Sequence, residues 1–496
     1  MLFSSLTFVL GFLPLALAIV LLGRRLYGPA GARLALAAVS LVFYGSWGWK
    51  VLPVLVLSAA VNYGISLSLH RAASTARRRG LILGIAANIV ALGVFKYNNF
   101  FIDNWNALTG SAVPFAEIAF PIGISFFTLQ QISYLLAVAA DMEPPRKFTD
   151  YLLFVSCFAY VTAGPIVAAR EFFSQREQIG TLTTERFVVA VTVFAVGLLK
   201  KVWIAESFAP YADQVFEQAH GGGAVGLWDA WLGAWSYSLQ LYFDFSGYSE
   251  MALGLGLLFG LRLPLNFNSP LRATSAIEFW QRWHMTLTRF LTNNLFLPLS
   301  VKQVRRAATR KTGRVASFVR AYAIPVFVTF VLAGLWHGAA WTFVLFGAWW
   351  GVALAINHGW RQARPARLPV WLAWVLTMMT ISIGMVLFRA PDLRTSGALL
   401  YAMFDLAHVE FVSQVMAPKF LVLMLSITAA CLIAPNTAQI MSSWNITFEP
   451  VPKGNTNRLL DWRWRLDARG VAFTALVIIA VVLAGEQTAP FLYYQF

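Results

Sequence analysis

The sequence predicts an all-α, polytopic integral membrane protein with about 10–12 transmembrane or re-entrant helices. Three observations predict it. Hydrophobic residues make up 58% of the 496-residue chain and charged residues 12%, about half the ~25% that a water-facing surface needs. The mean hydropathy is +0.65, and 19 Trp with 40 Phe leave too little polar surface for a soluble globule. The apolar stretches reach the length of about 20 residues that one crossing of a roughly 30 Å core takes, and the alternation of a transmembrane barrel is absent.

The first spans fall near residues 1–23, 32–48, 51–69, 81–96 and 117–140. Met1 to Leu22 lacks a basic leader and stays apolar past Ala18, which reads as an uncleaved first span. Basic residues cluster between spans: Arg24-Arg25, Arg71 with Arg77 to Arg79, Arg146-Lys147, and a run from Lys302 to Arg320. The positive-inside rule puts these in the cytoplasm, with the N-terminus and a loop at 97–115 outside. The net charge of +16 is thereby a matter of topology and not of nucleic-acid binding. Later candidates lie near 151–166, 183–205, 227–245, 248–262, 322–340, 341–357, 368–388, 419–435 and 470–488. Pro121, Pro165, Pro210, Pro264 and Pro270 interrupt or flank several of them. Broken backbone at membrane depth is tolerated only where it is buried or lines a wet cavity. This places the catalytic core at roughly 117–357 of a single domain spanning 1–496. Cys157 and Cys431 supply neither a disulfide framework nor a zinc-ligand spacing, so no metal is expected.

Three polar constellations interrupt the apolar pattern. Residues 322–356 contain no Asp, Glu, Lys or Arg and one histidine, His337. One helix of that length would be about 52 Å long, so two helices or a broken one are expected, with Gly334-Leu-Trp336-His337-Gly338 near the break. An ionisable residue inside a membrane marks a functional site by default. The second constellation runs from Ser275 to Arg289. Ser275 and Glu278 have capping-box spacing, Glu278 and Arg282 can pair four residues apart, and Trp280 at the same spacing would lie beside His284. The third runs from Tyr237 to Glu250. Asp244 lies among aromatics and needs a partner, for which His284 or a backbone amide are candidates. Gly247 suggests a helix break.

These residues are familiar as a set. The chain resembles the membrane-bound O-acyltransferase family, and within it the bacterial alginate O-acetyltransferase branch. The resemblance runs from the Met1-Leu-Phe-Ser-Ser opening through Phe120-Pro-Ile-Gly-Ile-Ser-Phe-Phe-Thr-Leu-Gln-Gln-Ile-Ser-Tyr134 and Ala163-Gly-Pro-Ile166. It continues through Leu241-Tyr-Phe-Asp-Phe-Ser-Gly-Tyr-Ser249, Asn266-Phe-Asn268, Glu278-Phe-Trp-Gln-Arg-Trp-His284 and Gly334-Leu-Trp-His-Gly-Ala-Ala-Trp341. It closes on Pro490-Phe-Leu-Tyr-Tyr-Gln-Phe496. The resemblance implies a helical fold thinned at its centre, in which a cytoplasmic acyl donor and an extracytoplasmic acceptor reach one histidine through a tunnel. It makes His337 catalytic and His284 the second essential histidine. One departure stands out. Where the branch reads Arg-Asp-Tyr-Leu-Tyr-Ile-Pro-Leu-Gly-Gly-Asn-Arg, this chain reads Thr292-Asn-Asn-Leu-Phe-Leu-Pro-Leu-Ser-Val-Lys302, so a basic segment replaces the Gly-Gly turn.

The chemistry suits a histidine. An imidazole with an ordinary pKa near 6.5 takes the proton of a sugar hydroxyl as it attacks a thioester, and such help contributes about 10²–10⁴ in rate. Asn266, Asn268, Gln240 and Trp336 are candidate donors to the oxyanion, with Asp244, Trp283, Glu278 and Arg282 as supports. No bound cofactor is expected; the donor is an acyl thioester, acetyl-CoA or an acyl carrier protein. Membrane lipids and a periplasmic acyltransferase that completes transfer are the expected partners, in a bacterial inner membrane, and an oligomer is compatible with the sequence. Two other readings fit: D-alanyl transfer from a carrier protein to a cell-envelope polymer, and a transporter or flippase, which the lack of paired inverted halves disfavours.

Overall fold

The computed structural model describes every residue except 310–312, 364–367, 410–416, 451–461, 485–490 and 496, and no strand occurs among those described. A π-helical turn, Thr7–Phe12, runs into α1 (Leu13–Gly45), which is broken at Gly28. Gly28 has a φ of 65° and Pro29 follows it. Glycine takes that left-handed conformation without a steric penalty, so one helical stretch supplies the first two expected spans. α2 (Leu52–Arg71) and α3 (Ser74–Leu92) follow. A π turn at Gly93–Tyr97 then leads into α4 (Asn98–Thr109), where a loop was expected. Tertiary contacts explain the helix: Phe100 packs on Trp341 at 5.9 Å, and the Trp341 indole donates to Asn104 at 2.9 Å.

α5 (Ile124–Ala139) starts at Gly123, later than expected, and α6 (Phe148–Ser156) stops after nine residues. The expected span at 151–166 is therefore half helix and half buried turn. Pro165 cannot donate to a helix and restricts the residue before it. The turns satisfy the buried backbone locally, as they must at membrane depth. Val161 N–H reaches Cys157 O at 2.9 Å, and Phe158 N–H reaches Ser40 Oγ at 3.2 Å.

α7 (Ala169–Gln175), α8 (Thr184–Leu199) and α9 (Glu206–His220) lead to α10 (Leu227–Leu258). The two spans expected at 227–245 and 248–262 are one helix of 32 residues. Gly247 does not break it. A Cβ there would lie 2.6 Å from Gly197 O, so this glycine marks where α8 presses against α10. Almost every α10 residue from Ser236 to Leu258 is buried, and α8, α9 and α17 surround it.

The chain continues as α11 (Ala276–Arg282), α12 (Met285–Leu291), α13 (Leu297–Thr309) and α14 (Arg314–Phe318). α15 (Ile324–His337), α16 (Trp341–Ala363), α17 (Val370–Arg389), α18 (Leu393–Ala402) and α19 (Pro418–Ile433) come next. α20 (Thr437–Ile440), α21 (Ala468–Ala484) and a 3₁₀ turn at Leu492–Gln495 complete it. The break expected within 322–356 falls at 338–340. Among the described residues, six helical stretches are long and apolar enough to cross a membrane; three further apolar helices, Ile124–Ala139, Pro418–Ile433 and Ala468–Ala484, are shorter. Their outer faces carry exposed Leu83, Val90, Trp371 and Leu483, apolar surface that lipid covers. This is a multi-pass membrane protein.

Candidate active site

α15 places His337 at its last residue, and the packing of α15 on α16 fixes that end. A Cβ on Gly334 would lie 2.1 Å from Phe343 O, and one on Gly347 would lie 2.2 Å from Phe330 O. The two backbones touch there, which only glycine permits. The final carbonyls of α15 have no partner within the helix. Lys96 supplies one, donating to Trp336 O at 2.7 Å, to His337 O at 2.8 Å and to Ser125 Oγ at 3.3 Å. The Tyr97 hydroxyl donates to Leu335 O. A cation at a helix C-terminus also meets the negative end of the helix dipole.

The His337 ring is 4% exposed and packs against Phe388 at 5.3 Å and Phe346 at 5.8 Å. It borders a slender cavity of about 20 Å³ lined also by Lys96, Ser125, Thr162, Trp336 and Tyr494. That space exceeds the ~10–15 Å³ one water requires. Gly123 also lines it, with a φ of 77°, and a Cβ there would sit 2.3 Å from Val161 O.

His284 stands behind this cavity. The Ser275 hydroxyl accepts from Glu278 N–H at 3.2 Å, which starts α11 as its spacing predicted. Glu278 reaches Thr274 and also pairs with Arg282 at 2.9 Å. α11 ends at Arg282, and His284 takes a left-handed conformation with a φ of 41°. A non-glycine residue there costs roughly 1–2 kcal/mol. This turn carries His284 away from Trp280, which was expected beside it. Trp280 packs instead on Phe330 and Trp350. The His284 ring, fully buried, meets Phe245 at 4.8 Å and Trp336 at 6.3 Å. Trp336 in turn meets His337 at 4.9 Å, so one indole touches both histidines.

The proton on His284 can be located. Asn266 Oδ1 lies 3.0 Å from His284 Nδ1, 2.9 Å from Thr286 Oγ1 and 3.4 Å from Thr286 N. A backbone N–H only donates, so the Asn266 atom facing it is the oxygen. His284 Nδ1 therefore carries hydrogen.

Asp244 pairs with Lys201 at 2.6 Å and accepts from the Leu492 amide at 3.0 Å. The amide was expected as a partner; His284 was expected too and is not one, because Asn266 holds it. Lys201 reaches inward from the π turn Lys200–Ala205. The Asp244 bond ties the C-terminal turn to α10, and Tyr494 O–H donates to Tyr248 Oη at 3.2 Å, which meets Thr162 Oγ1 at 2.5 Å.

Of the expected oxyanion donors, Asn266 uses its amide N–H on Ser249 Oγ at 3.1 Å, and Trp336 uses its indole N–H on Ser125 O at 3.1 Å. Asn268 bonds Asn436 at 2.9 Å and receives Arg282 on its carbonyl at 3.2 Å. Gln240 is buried on α10, and neither it nor Asn268 borders the His337 cavity. Trp283 stacks on Phe279 and meets Phe267. The structure thus gathers His337, Trp336, His284 and Asn266, while Glu278, Arg282, Trp283 and Asn268 brace α11. No His/Cys/Asp/Glu group among the described residues has a metal-ligand arrangement.

The model of the membrane-bound O-acyltransferase family matches residues 36–388. The chain belongs to that family. It is 36% identical over 442 residues to a peptidoglycan O-acetyltransferase of Helicobacter pylori, covering 83% of this chain and 81% of that protein. A probable alginate O-acetylase of Azotobacter vinelandii is 35% identical over the full length of both chains. A teichoic acid D-alanyltransferase of Streptococcus thermophilus is 26% identical over 48% of this chain and 57% of its own. The protein is accordingly an O-acyltransferase. Sequence reasoning missed Lys96, Tyr97, Ser125, Thr162 and Tyr494, the polar surroundings of this membrane-bound O-acyltransferase site. Lys96 carried a signal as the one charge ending the apolar run at 81–96, and Ser125 and Tyr494 lie within segments quoted for the resemblance.

Proposed function

We propose that the protein moves an acyl group, acetyl in the first instance, from a cytoplasmic thioester to a hydroxyl on an extracytoplasmic polysaccharide or on a partner protein that relays the group. The observation that carries this is the pairing of His337, bordering the cavity, with His284 across Trp336. The relatives that act on peptidoglycan and alginate support a polysaccharide acceptor. In the step, His337 takes the hydroxyl proton while the oxygen attacks the thioester carbon. The C–O bond forms, the C–S bond breaks, and the proton returns to the leaving thiolate. Lys96 beside the cavity adds a positive charge that favours the developing oxyanion. His284, with Nδ1–H fixed by Asn266, stands across Trp336 from His337 as the second histidine of the site. Aligning both reactants in a narrow space removes bulk water and supplies much of the remaining barrier reduction.

The basic clusters support the orientation: Arg24-Arg25, Arg71 with Arg77 to Arg79, Arg146-Lys147 and the run from Lys302 to Arg320 fall between apolar spans, and the positive-inside rule assigns such segments to the cytoplasm, in the inner membrane of a bacterium. The test is acetyl transfer from a labelled thioester by purified protein in sealed vesicles. Label on the acceptor only when thioester and acceptor lie on opposite sides supports the reading, and turnover by His337→Ala at the wild-type rate overturns it.

A further inference from the structure

α4 and the segment after it present an apolar surface apart from the catalytic centre. Phe101, Trp105 and Leu108 are 62%, 57% and 83% exposed. At ~100° per residue they fall within a sector about 60° wide, so they form one stripe. Asp103, the one charge on α4, lies about 200° round from Phe101, on the opposite side. A third side rests on α16, where Phe100 packs on Trp341 and Asn104 accepts from its indole. The chain then folds back on α4. Asn106 accepts from Val113 N–H at 2.9 Å and donates to Val113 O at 2.8 Å. Asn99 does the same with Ala116, at 3.0 and 3.3 Å. Each carboxamide thus pairs with both backbone groups of one residue, and Val113 and Phe115 are held in this order while exposed.

The depth of this stripe follows from the helix that carries it. α3, the π turn and α4 form one helical stretch of 36 residues, Ser74–Thr109. On the orientation proposed above, Arg77 to Arg79 mark its cytoplasmic end. From Arg79, at ~1.5 Å per residue and a tilt of about 20°, Phe101 lies roughly 31 Å up and Trp105 roughly 37 Å. The hydrocarbon core is ~30 Å thick, and the bilayer with its headgroups about 40–45 Å. The stripe therefore enters the outer headgroup layer, the level at which Trp concentrates. It continues the lipid-facing surface of α3, on which Leu83, Val90 and Val94 are exposed. No Lys or Arg occurs from 97 to 145, so the contact calls for apolar depth and not for anionic lipid. The same helical stretch grips the chemistry. Lys96 and Tyr97, immediately before α4, hold the carbonyls of α15 from Leu335 to His337. Trp341, which rests on α4, opens α16 just after the break.

We propose that α4 is an anchor seated in the lipid of the outer leaflet, and that it sets the depth of the His337 turn in the bilayer. Lipid seats it through Phe101, Trp105 and Leu108, while Lys96, Tyr97, Phe100 and Asn104 pass that position to the turn. The seat needs no assumption about chemistry; its consequence for turnover rests on the acyl-transfer reading above. The first test uses full-length protein in phosphatidylcholine bilayers. The single-cysteine variants D103C, W105C and L108C, in a background lacking Cys157 and Cys431, each carry an environment-sensitive fluorophore. The labels at 105 and 108 should be quenched by lipid brominated near the headgroup end of its chains and shielded from aqueous iodide. The label at 103 should show the reverse. Equal access of iodide to all three overturns the anchor and leaves the stripe to water or to a protein partner. Transfer is then measured for wild type and F101S/W105S/L108S in bilayers of short, medium and long lipid chains. Wild-type kcat should change about threefold or more across the series, since mismatch moves the anchor against the turn. The triple variant, its folding checked by melting temperature, should vary less than about twofold, and the milder W105S should fall between. An equal thickness response in wild type and W105S, or none in wild type, overturns the coupling. Absence of transfer in every bilayer strikes the acyl-transfer reading and leaves the labelling result standing.

Discussion

Replacing Lys96 by Met keeps the length of the side chain and removes its charge. In the native protein the ammonium uses all three of its donors, on Trp336 O, His337 O and Ser125 Oγ. Methionine leaves the two helix-terminal carbonyls short of a partner at a buried site, at about 1–3 kcal/mol each. The lost helix-dipole interaction adds roughly 0.3–1 kcal/mol. With partial relaxation the total is about 3–5 kcal/mol. His337 is the last residue of that turn, so part of the loss appears as misplacement of its ring. If about 2 kcal/mol falls on the transition state, kcat drops roughly 30-fold, since ~1.36 kcal/mol is tenfold. The assay pairs thermal unfolding in detergent with acetyl-transfer kinetics. Lys96→Arg should recover part of both, because it keeps the charge but not the compact geometry. A Lys96→Met protein with native melting temperature and native kcat would refute the claim that Lys96 holds the His337 turn.

Other consequences are equally direct. Gly338→Ala would put a methyl group 2.0 Å from the Phe343 ring, so it should destabilise by about 1–3 kcal/mol and abolish transfer, read by melting temperature and turnover together. His284→Ala should lower kcat by about 10²-fold or more, and His284→Gln should recover some of it if a hydrogen bond is the role; full activity in both variants removes His284 from the site. Asp244→Asn leaves buried Lys201 with only the longer Glu206 pair at 3.7 Å, a loss of about 3 kcal/mol, which a double-mutant cycle with Lys201→Met measures. Cysteines placed at Arg78 and Lys302 in a background lacking Cys157 and Cys431 should label only from the cytoplasmic side; labelling from outside inverts the topology.

His337 was legible in the sequence because thirty-five residues around it carry no formal charge, and isolation is what a linear pattern can display. The capping of α11 by Ser275 and the Glu278–Arg282 pair were legible too, since their rules act over three or four residues. Asn266 was visible as a polar residue, but its task was not. That task depends on Thr286 twenty residues away, whose amide fixes the carboxamide orientation. Lys96 and Lys201 each end an apolar run, where long cationic side chains ordinarily reach back toward water. Only the π turns that redirect the chain at Gly93–Tyr97 and Lys200–Ala205 bring them inward. The continuity of α10 was illegible for the same reason. A glycine among serines reads as a break until Gly197 is found pressed against it.

The run of rings from Phe245 through His284 and Trp336 to His337 also bears on the energetics of the living membrane. A conduit open to water on both faces would short-circuit the ion gradients across the bilayer. Here interlocked rings pack around both histidines, and what passes on the proposed route is an acyl group in one direction and the hydroxyl proton in the other, an exchange that moves no net charge. Moving one elementary charge through the field involves about 2.3 kcal/mol per 100 mV, whereas an exchange without net charge involves no such work. Transfer in sealed vesicles should therefore run at the same rate whether the membrane is polarised or collapsed by an ionophore.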